Sequence, residues 1–453
     1  MLHFSAMRLF GSVFGLLGIA VVAAANCTSC RAGHIVAGPV IGSVTPTSAR
    51  IWMELSTSDR LHVQAFDLNT GREVSAWGES VHGPPPFVGA AAIGGLEPDH
   101  DYRLRVFVNG RRRPLPGPPL IIRTYPVRGS DQNYTFAFGS CADTRRYPGR
   151  TIWHTIANLQ PRAFIFAGNS VYLPRTLAKF PYTYIHALRF ILDKYEQARR
   201  FKGIQPLMRI CPIYATWDDR DFGIPGSGAK FVFAGESMIA FQRYWLNPGY
   251  GSGPQVAAFC HFTVGDAEFF LLDDRTFRVP AAKGKPGVML GNVQINWLKK
   301  RLLRSHADFK FIVDGDPMLT DYPGHESWGN FPRERRRLLA WIFAHDVDGV
   351  IFLTGHRRFG ELTLRRPGPG VFGQYPLYDL TSSSLADRPL TAAQAALYHN
   401  PGRVGPQVLV NNFGLIRVGG PAGLRHVTLE LKNAAGDTLL TRTISQNQLQ
   451  AAQ

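Results

Sequence analysis

The chain has 453 residues, 45% of them hydrophobic and 18% charged, which gives room for two or three domains around a sizeable core and excludes a disordered chain. A net charge of +17 favours anionic partners such as phosphorylated polymers or a membrane surface. No RNA-binding signature, zinc-finger spacing or helix-turn-helix with a basic recognition helix occurs, so nucleic acid is not expected as a specific partner.

Residues 1–25 read as an export signal. "MLHFSAMR" carries one arginine, "LFGSVFGLLGIAVVA" is an apolar run, and "AAA" before Asn26 fits small-residue cleavage. The run is short for a membrane span of about 20 residues, and Asn26 makes a poor lipoprotein site before Cys27. The expected location is therefore the periplasm, the exterior or the cell surface. Export permits disulfides. Of the five cysteines, Cys27 and Cys30 could pair locally, Cys211 could reach Cys260, and Cys141 is left free. "CTSC" lacks the helix and βαβ setting of a redox motif.

Residues 34–125 alternate with a period of two, as in "ARIWMELS" and "YRLRVFVNG", between turn-rich stretches. They predict a small β-sandwich domain of immunoglobulin or fibronectin type. From residue 130 to about 435 the pattern becomes α/β. Strands are expected at "YTFAFGSC", "AFIFAGNS", "PIYATWDD", "EFFLLDDR", "FKFIVDGD", "GVIFLTGH" and "LYDLTSSS". Helices are expected near 151–160, 184–201, 235–246, 291–305 and 333–345, the fourth with Val293, Trp297 and Leu302 on its apolar face. "RHVTLELKNAAGDTLLTRTIS" predicts a closing hairpin around "AAGD".

Several strands end in polar clusters: Ser140-Cys141, Gly168-Asn169, Asp218-Asp219, Asp273-Asp274 and Gly355-His356. Strand ends of an α/β sheet collect at one edge, where loops build a ligand site, so a shared site is expected. "WDDRDFG" is its densest part. Asp218, Asp219 and Asp221 crowd around Arg220, and such carboxylates need a cation, whether a metal ion or the arginine itself.

The segments "FAFGSCAD", "FIFAGNSVY", "ATWDDRDFG", "FFLLDDRTFR", "LGNVQINWL", "ESWGNFPRER" and "IFLTGHRRFGEL" resemble, in order and spacing, those of the PhoD-like phosphatases (the alkaline phosphatase D family of metallophosphoesterases). The resemblance implies a layered metallophosphoesterase-like α/β core with a small β-sandwich domain before it. It also implies exported enzymes that hydrolyse phosphate esters with calcium, iron or zinc held at the strand ends. On that resemblance the metal positions fall on Cys141, Asn169, Tyr172, Asp218, Asp219 and His356.

The chain departs from the family where the chemistry sits. It has Gly168-Asn169 for Gly-Asp, Asp218-Asp219-Arg220-Asp221 for Asp-Asp-His-Asp, and Gly355-His356-Arg357-Arg358 for Gly-Asp-x-His. An amide brings no charge to a metal, and a guanidinium neither gives nor takes a proton at neutral pH. His356, in contrast, is a sound transition-metal ligand. The replacements make the site more cationic, so the expectation is lost or weakened metal-dependent hydrolysis, with an anion pocket lined by Arg220, Arg357 and Arg358. Arg220 and Arg358 then occupy the catalytic histidine positions.

The other readings are an active phosphomonoesterase or phosphodiesterase with an altered metal site, and a non-catalytic scaffold that contacts the cell envelope. Structural roles are expected for several neighbours. Arg220 could pair with Asp219 or Asp221, and Asp273 and Asp274 could brace their loop with Arg275 and Arg278 as partners. His325, Glu326 and Trp328 could shape the pocket rim or start a helix. Ser382, Ser383 and Ser384 lack a nucleophile elbow.

Overall fold

The computed structural model describes residues 33–80, 85–115, 117, 119–322, 325–367 and 373–451; the expected export signal, Cys27 and Cys30 lie outside them. Among the described residues no helix is long and apolar enough to cross a membrane.

Residues 34–125 form two antiparallel sheets. One joins Ile35–Gly42, Ser48–Leu55 and Phe87–Gly94; the other joins Arg60–Asp67, Glu73–Ser80, Asp101–Val108, Arg111–Arg112 and Ile121–Arg123. Burial alternates along Arg60–Asp67 and Asp101–Val108, so the period of two in the sequence is the inward and outward pleat. These sheets dock on the following core through polar pins. Tyr214 Oη meets Tyr125 Oη at 2.9 Å and accepts the Val44 N–H at 3.1 Å, and Trp52 Nε1 donates to Arg243 O at 2.7 Å.

The core is a pair of seven-stranded sheets. In the first, Ile213–Thr216, Ala163–Ala167 and Tyr134–Ala142 run parallel, then Asn412–Gly419 and the hairpin His426–Asn433/Thr438–Ser445 continue antiparallel. In the second, Ala267–Leu271, Phe309–Asp314, Val350–Thr354 and Leu377–Thr381 run parallel, with Cys260–Val264 and Gly360–Arg365 antiparallel at the flanks. The parallel strands are buried along their whole length, which is why they read as unbroken apolar runs. Aromatic rings fill the space between the sheets: Phe136 meets Phe269 at 4.7 Å between centroids, and Tyr214 stacks on Phe262 at 3.9 Å.

The expected helices form at Arg150–Asn158, Tyr184–Arg200, Ala234–Tyr244, Gly291–Arg304 and Pro332–Ala344. The phase of Gly291–Arg304 differs from the expectation. It buries Gln294, Leu298 and Leu302, while Val293 is 43% exposed. Gln294 turns inward because its amide closes the backbone of Asp273, accepting from N–H at 2.7 Å and donating to C=O at 2.7 Å. The run "LYDLTSSS" also differs from a single strand. It crosses between the sheets, Leu377–Thr381 staying in the second and Ser383–Ala386 pairing with Tyr134–Ala142 in the first. Cys211 and Cys260 are separate buried thiols rather than a disulfide.

Phe269 sits at the centre of the ring cluster, in contact with Phe136, Phe262 and Phe311. Phe269→Ala is expected to cost about 3–5 kcal/mol of stability, read as a lowered denaturant midpoint with far-UV circular dichroism of the folded baseline unchanged.

Candidate functional site

The parallel strands of both sheets end at one edge, and each sends a polar loop there: Cys141, Asn169, Asp218-Asp219, Asp273-Asp274, Asp314-Asp316 and His356-Arg358 follow successive strands. Cys141, Asn169, His356 and Arg358 all hold positive φ, between 54° and 71°, a conformation that costs a non-glycine residue about 1 kcal/mol or more. Hydrogen bonds fix these turns. Ser140 Oγ accepts the His356 N–H at 3.1 Å, and Ser383 Oγ accepts the Arg358 N–H at 2.8 Å. Two glycines are required by close approach. A Cβ on Gly168 would lie 2.4 Å from Asp218 Cβ, and one on Gly315 would lie 2.5 Å from Asp274 Oδ2.

Beneath the edge is a buried nest of carboxylates. Asp218, Asp274 and Asp316 are fully buried, as is Arg275 in their midst. The Arg275 guanidinium pairs with Asp218, with Asp274 at 3.2 Å, with Asp316 at 3.0 Å and with Glu326 at 3.1 Å. His356 Nδ1 bonds Asp218 Oδ2 and lies 3.6 Å from Asp316 Oδ1 and 4.0 Å from Asp219 Oδ1. Arg357 approaches Asp316 at 3.8 Å, and Arg278 binds Glu326 at 2.5 Å.

The central cation is thus Arg275 rather than Arg220. Arg220 makes no ion pair with Asp219 or Asp221; its guanidinium donates to Leu173 O and lies 5.1 Å over the Tyr172 ring. Asp221 is a capping carboxylate, accepting the N–H groups of Asn169, Ser170, Val171 and Asp218. It holds the Asn169 turn and forms no part of a metal cradle. Asp273 braces its loop as expected, through Trp217 Nε1 and the backbone N–H groups of Ala258, Arg275 and Thr276. Arg278 serves Glu326 instead of either aspartate. Trp328 is buried with Nε1 donating to Asp314 at 3.1 Å, whereas His325 and Glu326 reach the cavity wall. Ser382 donates to Asn412 and Ser383 holds Arg358, so neither is poised as a nucleophile.

Above the nest lies a cavity of about 380 Å³ lined by Cys141, Asn169, Tyr172, Asp219, Arg220, His356, Arg357 and Arg358, among others; Asp218 is underneath. The sequence-derived site residues therefore converge, but in a particular state. Asn169 Nδ2 donates to Asp218 at 2.5 Å and Asn169 Oδ1 accepts the Arg220 N–H at 2.9 Å, so both ends of the amide are engaged. The Cys141 thiol donates to His356 O at 3.3 Å, and burial pushes its pKa up to about 11. The Tyr172 hydroxyl donates to Asp387 at 2.7 Å. Asp314, Asp316 and Asp387 escaped the sequence reading; "VDGD" after an apolar run was the available signal for the first two.

Whether these residues fit a metal depends on which side of His356 is considered. On the Asn169 side, the amide, the protonated thiol and the phenol are spent on protein partners. On the other, Asp219 Oδ1 and Asp316 Oδ1 are buried without a hydrogen-bond partner, and Asp218, Asp219 and His356 offer ligand atoms within 4.8 Å of one another. Burial, with the charges of Asp218 and Glu326, lifts Asp219 to about 7, and burial lifts Asp314 and Asp316 likewise to about 7. Five carboxylates (Asp218, Asp219, Asp274, Asp316 and Glu326) face three guanidiniums (Arg275, Arg278 and Arg357) and one imidazole. His356 belongs to two groups close enough to share an ion, one with Asp218 and Asp219 and one with Asp316 and Glu326, and a donor set of one imidazole and two carboxylates suits a transition metal.

Comparison with known proteins adds to this geometry. A family model described as PhoD-like phosphatase matches residues 232–361, which include the Asp273-Asp274, Asp316, Glu326 and His356–Arg358 segments. Alkaline phosphatase D of Bacillus subtilis (strain 168) is 24% identical over 308 residues, covering 58% of this chain and 51% of that protein; the match thus spans about half the length of the curated relative. In solved structures, the chain is similar to PhoD (TM-score 0.71, 16% identity, 90% of this chain and 91% of that one). It is also similar to the purple acid phosphatase PPD1 from yellow lupin (Lupinus luteus) seeds (TM-score 0.65, 13% identity, 90% and 74%). Both likenesses show a mixed α/β fold shared with those two proteins.

Two outcomes follow from the nest. Arg275→Met, which leaves its carboxylates buried without their cation, is expected to cost about 3–5 kcal/mol in a denaturant melt. The second concerns pH. Asp219 titrates near 7 folded against 3.8 ordinarily, so between those values the native state holds the extra proton and stability falls as pH rises. In chelator-treated protein, the melting temperature of Asp219→Asn relative to the parent should therefore climb from about pH 4 to about pH 7 and level off above it.

Proposed function

We propose, from the premise that this chain is a relative of the PhoD-like phosphatases, that it binds a phosphorylated ligand in the arginine-lined cavity and has lost most metal-dependent ester hydrolysis. The observation that carries this reading is the pairing of a spent Asn169 amide with arginines that are only partly engaged, Arg220 on Leu173 O and Arg357 at 3.8 Å from Asp316. Arg357 Nε and Nη2 and Arg220 Nε are buried donors without hydrogen-bond partners, and Arg220, Arg357 and Arg358 all line the cavity. An orphaned guanidinium N–H is costly to bury, and a phosphate supplies oxygens in the bidentate geometry that guanidinium prefers.

The chain's own groups bind and orient better than they move protons. Arg220 and Arg358 stay charged at neutral pH and cannot protonate a leaving group. His356 has Nδ1 committed to Asp218, while Nε2 lies 3.7 Å from Glu326. A metal ion held by Asp218, Asp219 and His356 would supply a Lewis acid beside a bound phosphate. The orphan oxygens of Asp219 and Asp316 favour this as the second reading, a weakened phosphoesterase with one cation.

Calorimetry with inorganic phosphate should show saturable binding that weakens about 10-fold or more in Arg357→Ala and in Arg358→Ala, with circular dichroism unchanged. Metal analysis after incubation with iron, zinc or calcium should give no more than one equivalent per chain, abolished in His356→Ala, and Asn169→Asp should raise it. Two tightly bound equivalents in the unaltered protein, together with turnover of p-nitrophenyl phosphate that Asn169→Ala abolishes, would overturn the reading. Phosphate binding indifferent to both arginines would favour the scaffold instead.

A further inference from the structure

The cavity over the carboxylate nest continues past Tyr172. An adjoining cavity of about 610 Å³ has Arg145, Arg175, Lys179, Lys194 and Arg388 in its wall. The two share Tyr172, Arg175, Arg220, Arg358 and Asp387, so the Arg220 guanidinium, stacked on the Tyr172 ring, stands at their junction.

The wall is electrostatically one-sided. Among the described residues its carboxylates are Asp143 and Asp387. Asp143 is 3.8 Å from Arg146, and Asp387 accepts from the Tyr172 hydroxyl and from the Arg388 backbone N–H. Among the described residues, the side chains of Arg145, Arg175, Lys179 and Arg388 form no ion pair, and Lys194 has only the electrostatic pull of its neighbour Asp193. Cations on an ordinary surface are dispersed or interleaved with acids. Here they converge on one concavity, where low-dielectric walls focus their field. Lys194 reports the crowding: its pKa is lowered by burial and by the Arg145 charge. Arg145, Arg175, Lys179 and Arg388 are exposed, so their charges face the solvent-filled concavity.

We infer that this second cavity is a further anion subsite, so that the ligand is a chain bearing two or more phosphate groups, one at Arg220, Arg357 and Arg358 and the next among Arg175, Lys179 and Arg388. The inference rests on the proposed anion site and adds a specificity to it: a lone phosphate fills one end, and only a longer polyanion reaches both.

The test is calorimetry on the full chain at low ionic strength with inorganic phosphate, pyrophosphate and tripolyphosphate. Tripolyphosphate should bind about 10-fold or more tighter than phosphate, and the Lys179→Ala/Arg388→Ala double variant should reduce that advantage to within about 2-fold while phosphate affinity holds. A tripolyphosphate affinity equal to that of phosphate, or an advantage that survives the double variant, would overturn the subsite. An equal gain for tricarballylate, a tricarboxylate, would overturn its assignment to phosphate. Tripolyphosphate binding that the double variant removes, in a protein that takes up no inorganic phosphate, would uphold the subsite and discard the primary site proposed above.

Discussion

The burial of Arg275 among four carboxylates is the constraint on which the rest of the site depends. Removing so many ions from water is costly, and the arrangement is tolerable only because each partner lies within ion-pair distance of a cation that cannot lose its proton. Arg275 is placed there by the loop after Ala267–Leu271, which Asp273 and Gln294 lock to the neighbouring backbone. Asp218, Asp274 and Asp316 come from three different strands, so this one guanidinium ties both sheets together at their functional edge.

With that cation fixed, the chemistry divides by depth. Below lies a buried acidic nest; above lie open basic cavities; Asn169, Arg220 and His356 form the partition. Asn169 suits the boundary for a simple reason. A carboxylate oxygen 2.5 Å from Asp218 Oδ2, where the amide nitrogen now sits, would need a proton or a metal between them. The amide brings its own hydrogen and closes that gap. His356 Nδ1 bonds the same Asp218 Oδ2. The sequence comparison suggested a site made more cationic throughout, and the geometry separates that effect. Arg220 and Arg358 add their charge to the cavity rather than to the nest.

The layered α/β core, its five longer helices and the closing hairpin were all legible in the sequence, because buried parallel strands and amphipathic helices carry strong periodic signals. The convergence of the strand-end clusters was legible too, from the rule that such ends share an edge. The partners were not. Arg275 and Arg278 read as local companions of Asp273 and Asp274, yet Arg275 reaches Asp218 and Asp316 and Arg278 reaches Glu326, contacts set by strand order rather than by spacing along the chain. Arg220 lies between aspartates in sequence, but on so short a helix Asp221 turns back to cap while the guanidinium points away. Gln294 displaced Val293 from the buried face for the same kind of reason. A polar residue with two good backbone partners outcompetes an apolar residue, and hydropathy alone does not register that.

The backbone of the site bears on the proposed binding as much as its ligand set does. Cys141, Asn169, His356 and Arg358 each sit in a left-handed turn, and the surrounding structure spends hydrogen bonds from Ser140, Ser383 and Asp221 to keep three of them there. Strain of this kind persists only where it is over-determined by its surroundings. At this edge its effect is directional: it brings Arg357 and Arg358 and the Asn169 loop to the cavity wall. A fold that needed only a stable edge could relax these turns with glycine or a longer loop. On the proposed anion-binding reading, their rigidity holds guanidinium donors in place before a ligand arrives, and such preorganisation lowers the ordering cost of binding.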